Sequence, residues 1–483
     1  LDGAETVVLA EFPVPGASLP LLARRAIART VPRPRLVHVR FLIDDAAPEP
    51  PDGGTVLVWG TGARSQRAAS EALARPDAVL ARPPRHLEWP PARTLGRVAA
   101  RDVGMSEDAL DRADQVLRAA VRDSVFPGAA LAVGRRGGLV RLSGYGMTSR
   151  EADAKPVDAR STLYDLASLT KVIAATPAAM ALVAQGRLDL DAPVRRYVPE
   201  FSGGLKDRVT VRQLLDHTSG LPAGLNLYNT PGSPEDALRR VLSVRLSSAP
   251  GEVANYSDLG MVVLAEVVRH AGGVPFDVFV AGAVYAPLGM ASTMFLPPLA
   301  LRDWIAPSAL TSEREYLLQG IVHDGTAFRL GGVSGNAGLF ATAYDVALLA
   351  QSMLARGAYG TTRLFAPALV DSFTAIQPGA DTRALGWDTP SERSSAGSFF
   401  SARAYGHTGY TGTSVWIDPT RDLFVVLLTN RTYDRASPAR ILKVRRDVHD
   451  AIARAVTDQP LAKRPGAIED RPPPRRPAPR RRR

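Results

Sequence analysis

The chain has 483 residues, more than one ordinary domain holds, and its 45% hydrophobic and 22% charged residues are those of a globular protein. It has no cysteine, which excludes disulfides and thiolate metal sites. The net charge of +11 invites a nucleic-acid reading, but residues 463–483 hold nine Lys/Arg against two acids, so a tail of +7 leaves only +4 for the body.

Residues 1–95 alternate strand and helix patterns. The runs at 7–10, 36–39 and 55–58 predict buried parallel strands, and 21–29 and 64–74 predict helices between or after them. A Pro-rich stretch at 82–91 marks a linker. At Ser106 the character changes: residues 107–121 place Leu110, Ala113, Val116, Leu117 and Ala120 at helical spacing. Residues 129–133 and 139–142 predict a hairpin turning at 135–138. The longest apolar run, 172–184, holds Thr176 and Pro177; it falls short of the about eighteen residues a membrane span needs and reads as a buried helix. Near the other end, 414–417 and 423–429 predict strands joined by a turn at 418–422, and 448–456 a closing helix. The expected fold is therefore α/β (α+β): one antiparallel sheet built from both chain ends, with an inserted helical subdomain and a cleft between the two. The tail from 459 on, with Arg471-Pro-Pro-Pro-Arg-Arg-Pro, is expected to be disordered and to have no specific nucleic-acid partner.

Three short motifs carry chemistry. Ser168-Leu-Thr-Lys171 lies just before the apolar helix, so Lys171 shares a helical face with Ser168, and a serine nucleophile needs such a neighbouring base. A desolvated lysine serves as that base when burial lowers its pKa. Only five of the 59 basic residues are lysine, and arginine cannot give up its proton. The plain alternative makes Ser168 a helix N-cap. Tyr256-Ser257-Asp258 opens a second helix; Tyr256 is either a packed aromatic or the general base toward Ser168. His407-Thr408-Gly409-Tyr410 opens the strand carrying Val415-Trp416-Ile417. There Gly409 lets a substrate backbone approach, and the Tyr410 and Ser168 N–H groups supply an oxyanion hole. Other catalytic patterns fail: Gly332-Val-Ser-Gly-Asn336 is not a nucleophile elbow, and no zinc-binding or phosphate-loop motif occurs. His323-Asp324 reads as a loop hydrogen bond near the cleft.

The order Ser-x-x-Lys, Tyr-Ser-x, then His-Thr-Gly resembles the serine β-lactamase and penicillin-binding-protein superfamily, and the Tyr-Ser motif its class C β-lactamase and esterase branch. The stretches 209–222, Pro287-Leu-Gly-Met290 and Gly335-Asn-Ala-Gly-Leu-Phe340 agree with it. The resemblance covers about residues 104–458 and implies catalysis by Ser168, Lys171 and Tyr256, with Thr408, Gly409, His407 and Asp258 at the substrate. It also makes His217 part of a structural loop. Asp258 stands where β-lactamases have Asn, and His407 where they have a permanently charged Lys. Both departures favour uncharged ester or amide substrates over β-lactams. Residues 1–95 resemble the end of the α/β sandwich domain of family 3 glycoside hydrolases, on Val58-Trp-Gly-Thr-Gly62 and the helix after it. The catalytic barrel of that family is missing, so glycosidase activity does not follow.

The expected organisation is a partial α/β segment at 1–95, a linker at 96–103, the hydrolase domain at 104–458 and the tail at 459–483. The expected activity is acyl-enzyme hydrolysis of an ester, amide or D-aminoacyl peptide bond, with weak or no β-lactamase activity. The alternative is a non-catalytic module that binds cell-wall peptides or a protein partner. The resemblance implies no metal or other cofactor, a small-molecule or peptide substrate, and a place at the bacterial envelope. The chain opens on Leu1 without a signal peptide, so a removed leader or a longer parent chain is expected.

Overall fold

The computed structural model describes residues 95–227, 232–308, 317–392 and 394–467, together with the backbone of three strands before them. Those strands, β1 (Thr6–Glu11), β2 (Arg35–Leu42) and β3 (Gly54–Trp59), run parallel in the order β1-β2-β3, as their short apolar runs predict. The helices expected at 21–29 and 64–74, the Pro-rich stretch at 82–91 and the tail from 468 on lie outside the described residues.

The main body is organised by β4 (Gly128–Arg135) and β5 (Gly138–Gly146) from one chain end and β11 (Tyr405–Thr408), β12 (Ser414–Asp418) and β13 (Leu423–Thr429) from the other. They form one antiparallel sheet in the order β11-β12-β13-β4-β5. Between them lie a small sheet of β6 (Tyr164–Asp165), β7 (Met294–Phe295) and β8 (Leu339–Ala341) and a two-residue hairpin of β9 (Ala358–Tyr359) and β10 (Thr362–Arg363). The β4–β5 turn has φ 50° at Arg136 and 80° at Gly137. That is the doubly positive pair whose twist suits a two-residue hairpin.

Five helices matter for the site: α1 (Glu107–Arg122), α2 (Thr176–Ala184), α3 (Asp258–Gly272), α4 (Ala343–Leu354) and α5 (Pro438–Arg454). Alternation along the strands sorts the sheet's side chains into two cores. Ala129, Leu131, Val133, Trp416, Val425 and Leu427 face α1 and α5, whose Leu110, Leu117, Val448 and Ile452 meet them. Ala130, Ala132, Val415, Ile417, Phe424, Val426 and Leu428 face the helical subdomain with α2, α3 and α4. The result is three layers, and the ends of β6, α2, α3 and β11 converge where the sheet edge meets the subdomain.

Four expectations change. The linker at 96–103 is packed onto the body: Val98 donates to the Leu139 carbonyl at 3.0 Å, Leu139 to that of Gly96 at 2.9 Å, and Ala100 and Val103 are buried. Their apolar side chains extend the core instead of spacing domains. The chain past 458 stays packed through 467, with buried Arg464 donating to the Ser391 and Gly397 carbonyls. Helix α5 begins at Pro438, ten residues before the expected start, because Ser437 stands at the N-cap and proline at the first helical position. Its first turns are Arg- and Lys-rich, which hid the apolar period. His407 lies on its own strand, β11, paired with Val415 of β12, so the motif sits on a hairpin.

Candidate active site

Ser168 sits on a tight turn between β6 and α2. Asp165 accepts from the Ala167 N–H at 2.8 Å, and Ala167 is held at φ 46°, a left-handed conformation that side-chain-bearing residues rarely adopt. Lys171–Ala175 then forms one π-helical turn before α2, a feature frequent at functional sites. The stretch Ala167–Ala184 is the one described helix long and apolar enough to cross a membrane, with mean hydropathy 1.5, and 83% of it is buried in the fold.

Lys171 is fully buried. Its Nζ donates to Ser168 Oγ at 3.1 Å and to the Asn336 carbonyl at 2.9 Å, and lies 2.6 Å from an Asp258 carboxylate oxygen. The Asn336 side chain is fixed by Ser334 at 2.7 Å and Asp324 at 3.1 Å. Burial works to lower the Lys171 pKa, but Tyr256 and then Asp258 outweigh it and hold it above its ordinary value. The expected lowering is therefore reversed: Tyr256 first and Asp258 second keep Lys171 an ammonium in spite of its burial.

Asp258 begins α3, which Ser257 caps by accepting from Gly260 N–H at 3.2 Å. Ser257 Oγ donates to the Pro222 carbonyl at 2.6 Å and its N–H to His217 Nδ1 at 3.2 Å, so the helix start is tied to the loop at 217–223. Tyr256 is half-buried within a ring of basic groups. Its ring centre lies 4.7 Å from that of His217, 5.9 Å from that of His407, 5.0 Å from Lys171 Nζ and 5.1 Å from the Arg383 guanidinium.

The β11–β12 turn closes the site. Thr411 Oγ1 donates to the Asp165 carbonyl at 2.7 Å and Thr413 Oγ1 to that of Leu166 at 2.9 Å, which bolts the turn to the loop ahead of Ser168. A Cβ on Gly409 would stand 2.1 Å from Thr413 Oγ1 and 2.4 Å from the Leu166 oxygen. Packing of the turn thus requires glycine here. Among the described residues neither the Ser168 nor the Tyr410 N–H donates a hydrogen bond. Thr408 is half-buried on β11 and Tyr410 is 60% exposed, with its ring 5.5 Å from that of His323. The His323 N–H donates to Asp165 and Asp324 caps a short helix, so this pair fixes the loop, as expected.

All the expected residues, Ser168, Lys171, Tyr256, Asp258 and 407–410, are thus brought to one place. Arg383 was not foreseen, since nothing near it in the chain marks it. It arrives on the segment 383–388, which bridges to β11 at Gly406. Among the described residues no group of three or more His, Asp or Glu is placed to hold a metal ion.

A family model described as Beta-lactamase matches residues 113–449, well over half of the chain. The chain belongs to the β-lactamase family. This β-lactamase-family chain is 33% identical over 375 residues to "N-acetylmuramyl-L-alanine amidase" of Bacillus subtilis (strain 168), covering 70% of this chain and 84% of that protein. It is 31% identical over 392 residues to "Putative D-alanyl-D-alanine carboxypeptidase" of Salmonella agona (strain SL483), covering 74% and 89%. Among solved structures, simvastatin synthase from Aspergillus terreus shares the fold, with a TM-score of 0.59 at 20% identity over 73% of this chain and all of that one. The chain is a serine hydrolase acting on ester or amide bonds, which disfavours the non-catalytic reading.

Against the β-lactamase-family pattern, His407 does leave the site without the usual cation at that position. Burial first, then the charges of Lys171 and Arg383, hold its pKa well below the ordinary 6.5, so it is neutral at neutral pH. His217 is depressed likewise by burial, Arg383 and Lys171, and His449 on α5 is lowered to about 4 by burial. The sign follows from linkage. Below pH 6.5 the unfolded chain takes up protons that these folded imidazoles refuse, so stability is lost as pH falls toward the folded values. Urea unfolding at pH 7.5, 6 and 5 should show the unfolding free energy dropping, with a slope that approaches roughly 1.4 kcal/mol per pH unit for each imidazole below pH 6.5. His449→Gln should shallow that slope.

Proposed function

We propose that this chain cuts an amide bond in peptidoglycan fragments through an acyl-enzyme on Ser168. The observation that carries the reading is the Ser168 Oγ held 3.1 Å from a buried lysine that is ion-paired to Asp258 beside Tyr256. Tyr256 takes the Ser168 proton while the Lys171 ammonium steadies the charge that passes between the two oxygens. Ser168 Oγ bonds to the carbonyl carbon, and the Ser168 and Tyr410 N–H groups, which have no acceptor among the described residues, receive the oxyanion. The C–N bond breaks as Tyr256 returns the proton to the leaving nitrogen. Water then reverses the sequence and frees the acid. The envelope substrate is supported by the names of the Bacillus subtilis and Salmonella relatives, and a site at the cell envelope follows from the same reading. The hydrolase unit would run from about 95 to 467, wider than the expected 104–458, with residues 1–95 before it and the basic tail after it.

A fluorophosphonate probe followed by peptide mass spectrometry tests the assignment. It should label the folded protein once, on the peptide holding Ser168. A folded protein that stays unlabelled, or is labelled at another serine, would refute it.

A further inference from the structure

Arg445 lies on α5, behind the β11–β12 turn and away from the motifs. It is 7% exposed, and one terminal nitrogen donates to the carbonyls of both Gly409, at 2.8 Å, and Thr413, at 2.7 Å. Among the described residues it has no carboxylate partner; its Nε is buried without a hydrogen bond, and Arg431 is a second nearby cation. A desolvated, unpaired guanidinium is costly to the fold. Its placement therefore calls for a reason beyond stability.

The reason lies in one peptide plane. The Gly409 carbonyl and the Tyr410 N–H belong to the same peptide group, and the described chain has no cis peptide bond. In a trans peptide the C=O and N–H point in opposite directions. The Gly412 N–H also donates to this carbonyl, at 3.1 Å, and the cation with it fixes the carbonyl from behind and so sets the direction of the N–H. The cation also draws electron density toward the oxygen and strengthens the N–H as a donor. The other N–H of the pair is served alike, since the Ala167 carbonyl, in the peptide group of the Ser168 N–H, accepts from Thr170 N–H. We propose that Arg445 is a positioning residue that aims and polarises the Tyr410 N–H toward the oxyanion. This rests on reading the Tyr410 N–H as an oxyanion donor.

The test compares wild type with Arg445→Met, of similar reach but neutral, in p-nitrophenyl ester hydrolysis, urea unfolding and affinity for a boronic acid that mimics the tetrahedral state. Expected are a kcat lower by about 10²-fold, the scale of a lost oxyanion donor, KM within about threefold, boronate affinity falling in step with kcat, and a urea midpoint unchanged or raised. Arg445→Lys, which keeps a charged donor, should recover part of kcat. An unchanged kcat in Arg445→Met, or a kcat that falls only in step with the folded fraction, overturns the proposal. Should Arg445→Met not fold, Arg445→Gln is read by the same criteria. Wild type without ester turnover would sink the hydrolase reading and this one with it; an active wild type with an unaffected Met variant sinks this one alone.

Discussion

Ser168→Ala and Lys171→Met are each expected to lower kcat for ester hydrolysis by about 10³-fold or more, and the double variant to lose no more than the worse of the two. Residues that act as one unit fail together, so their losses do not add. The unit here is spatial: Lys171 Nζ reaches the Ser168 oxygen, the Asn336 carbonyl and Asp258 from a position without solvent access. Methionine fills the same volume but has no donor, so Ser168 Oγ loses its orienting hydrogen bond and Tyr256 the cation beside it. The Asp258 side chain is 31% exposed, but the oxygen that meets Lys171 is buried, so its charge is left unpaired, stability falls, and the variant's rate is read where it is still folded. Steady-state hydrolysis of a p-nitrophenyl ester measures kcat, and thermal unfolding checks the fold. A Lys171→Met enzyme that keeps a tenth of the activity, or a double variant far worse than either single one, would show that the two residues do not act together.

Local features of the fold were legible where the physics is local. The β4–β5 hairpin follows from Arg136-Gly137 between apolar runs, and α1 from its apolar period. Ser168 and Lys171 were legible because three residues along a helix bring them to one face. What escaped depends on partners far apart in the chain. The charge state of Lys171 is decided by Tyr256 and Asp258, and the need for glycine at 409 by Thr413 and the Leu166 carbonyl. Arg383 and Arg445 are two among many arginines in the chain, and only the fold sets one beside Tyr256 and the other behind the oxyanion turn. The supposed linker at 96–103 was misjudged for a similar reason, since its partner strand begins some forty residues later.

Tyr256→Phe is expected to lower kcat by 10²–10⁴-fold, about what positioned proton transfer contributes, with KM and the urea midpoint nearly unchanged. The ring is what packs here, lying against His217, His407 and Arg383, and phenylalanine keeps it. Only the oxygen leaves, so a loss of rate without loss of fold reports that oxygen, both as proton acceptor and as the partner that helps hold Lys171 charged. The outcome also separates two readings the sequence left open. If Lys171 were a neutral base, Tyr256→Phe would cost less than about tenfold and the rate would follow the deprotonation of the lysine. The Asp258 ion pair argues against that state, because it helps hold Lys171 charged in spite of complete burial. Asp258→Asn then provides the complementary measurement. Without the carboxylate the Lys171 pKa must fall, since burial is left less opposed, and the pH–rate profile should move in Asp258→Asn while the Phe variant stays slow at every pH. A fast Phe variant, by contrast, would return the base to Lys171 and leave Tyr256 as packing.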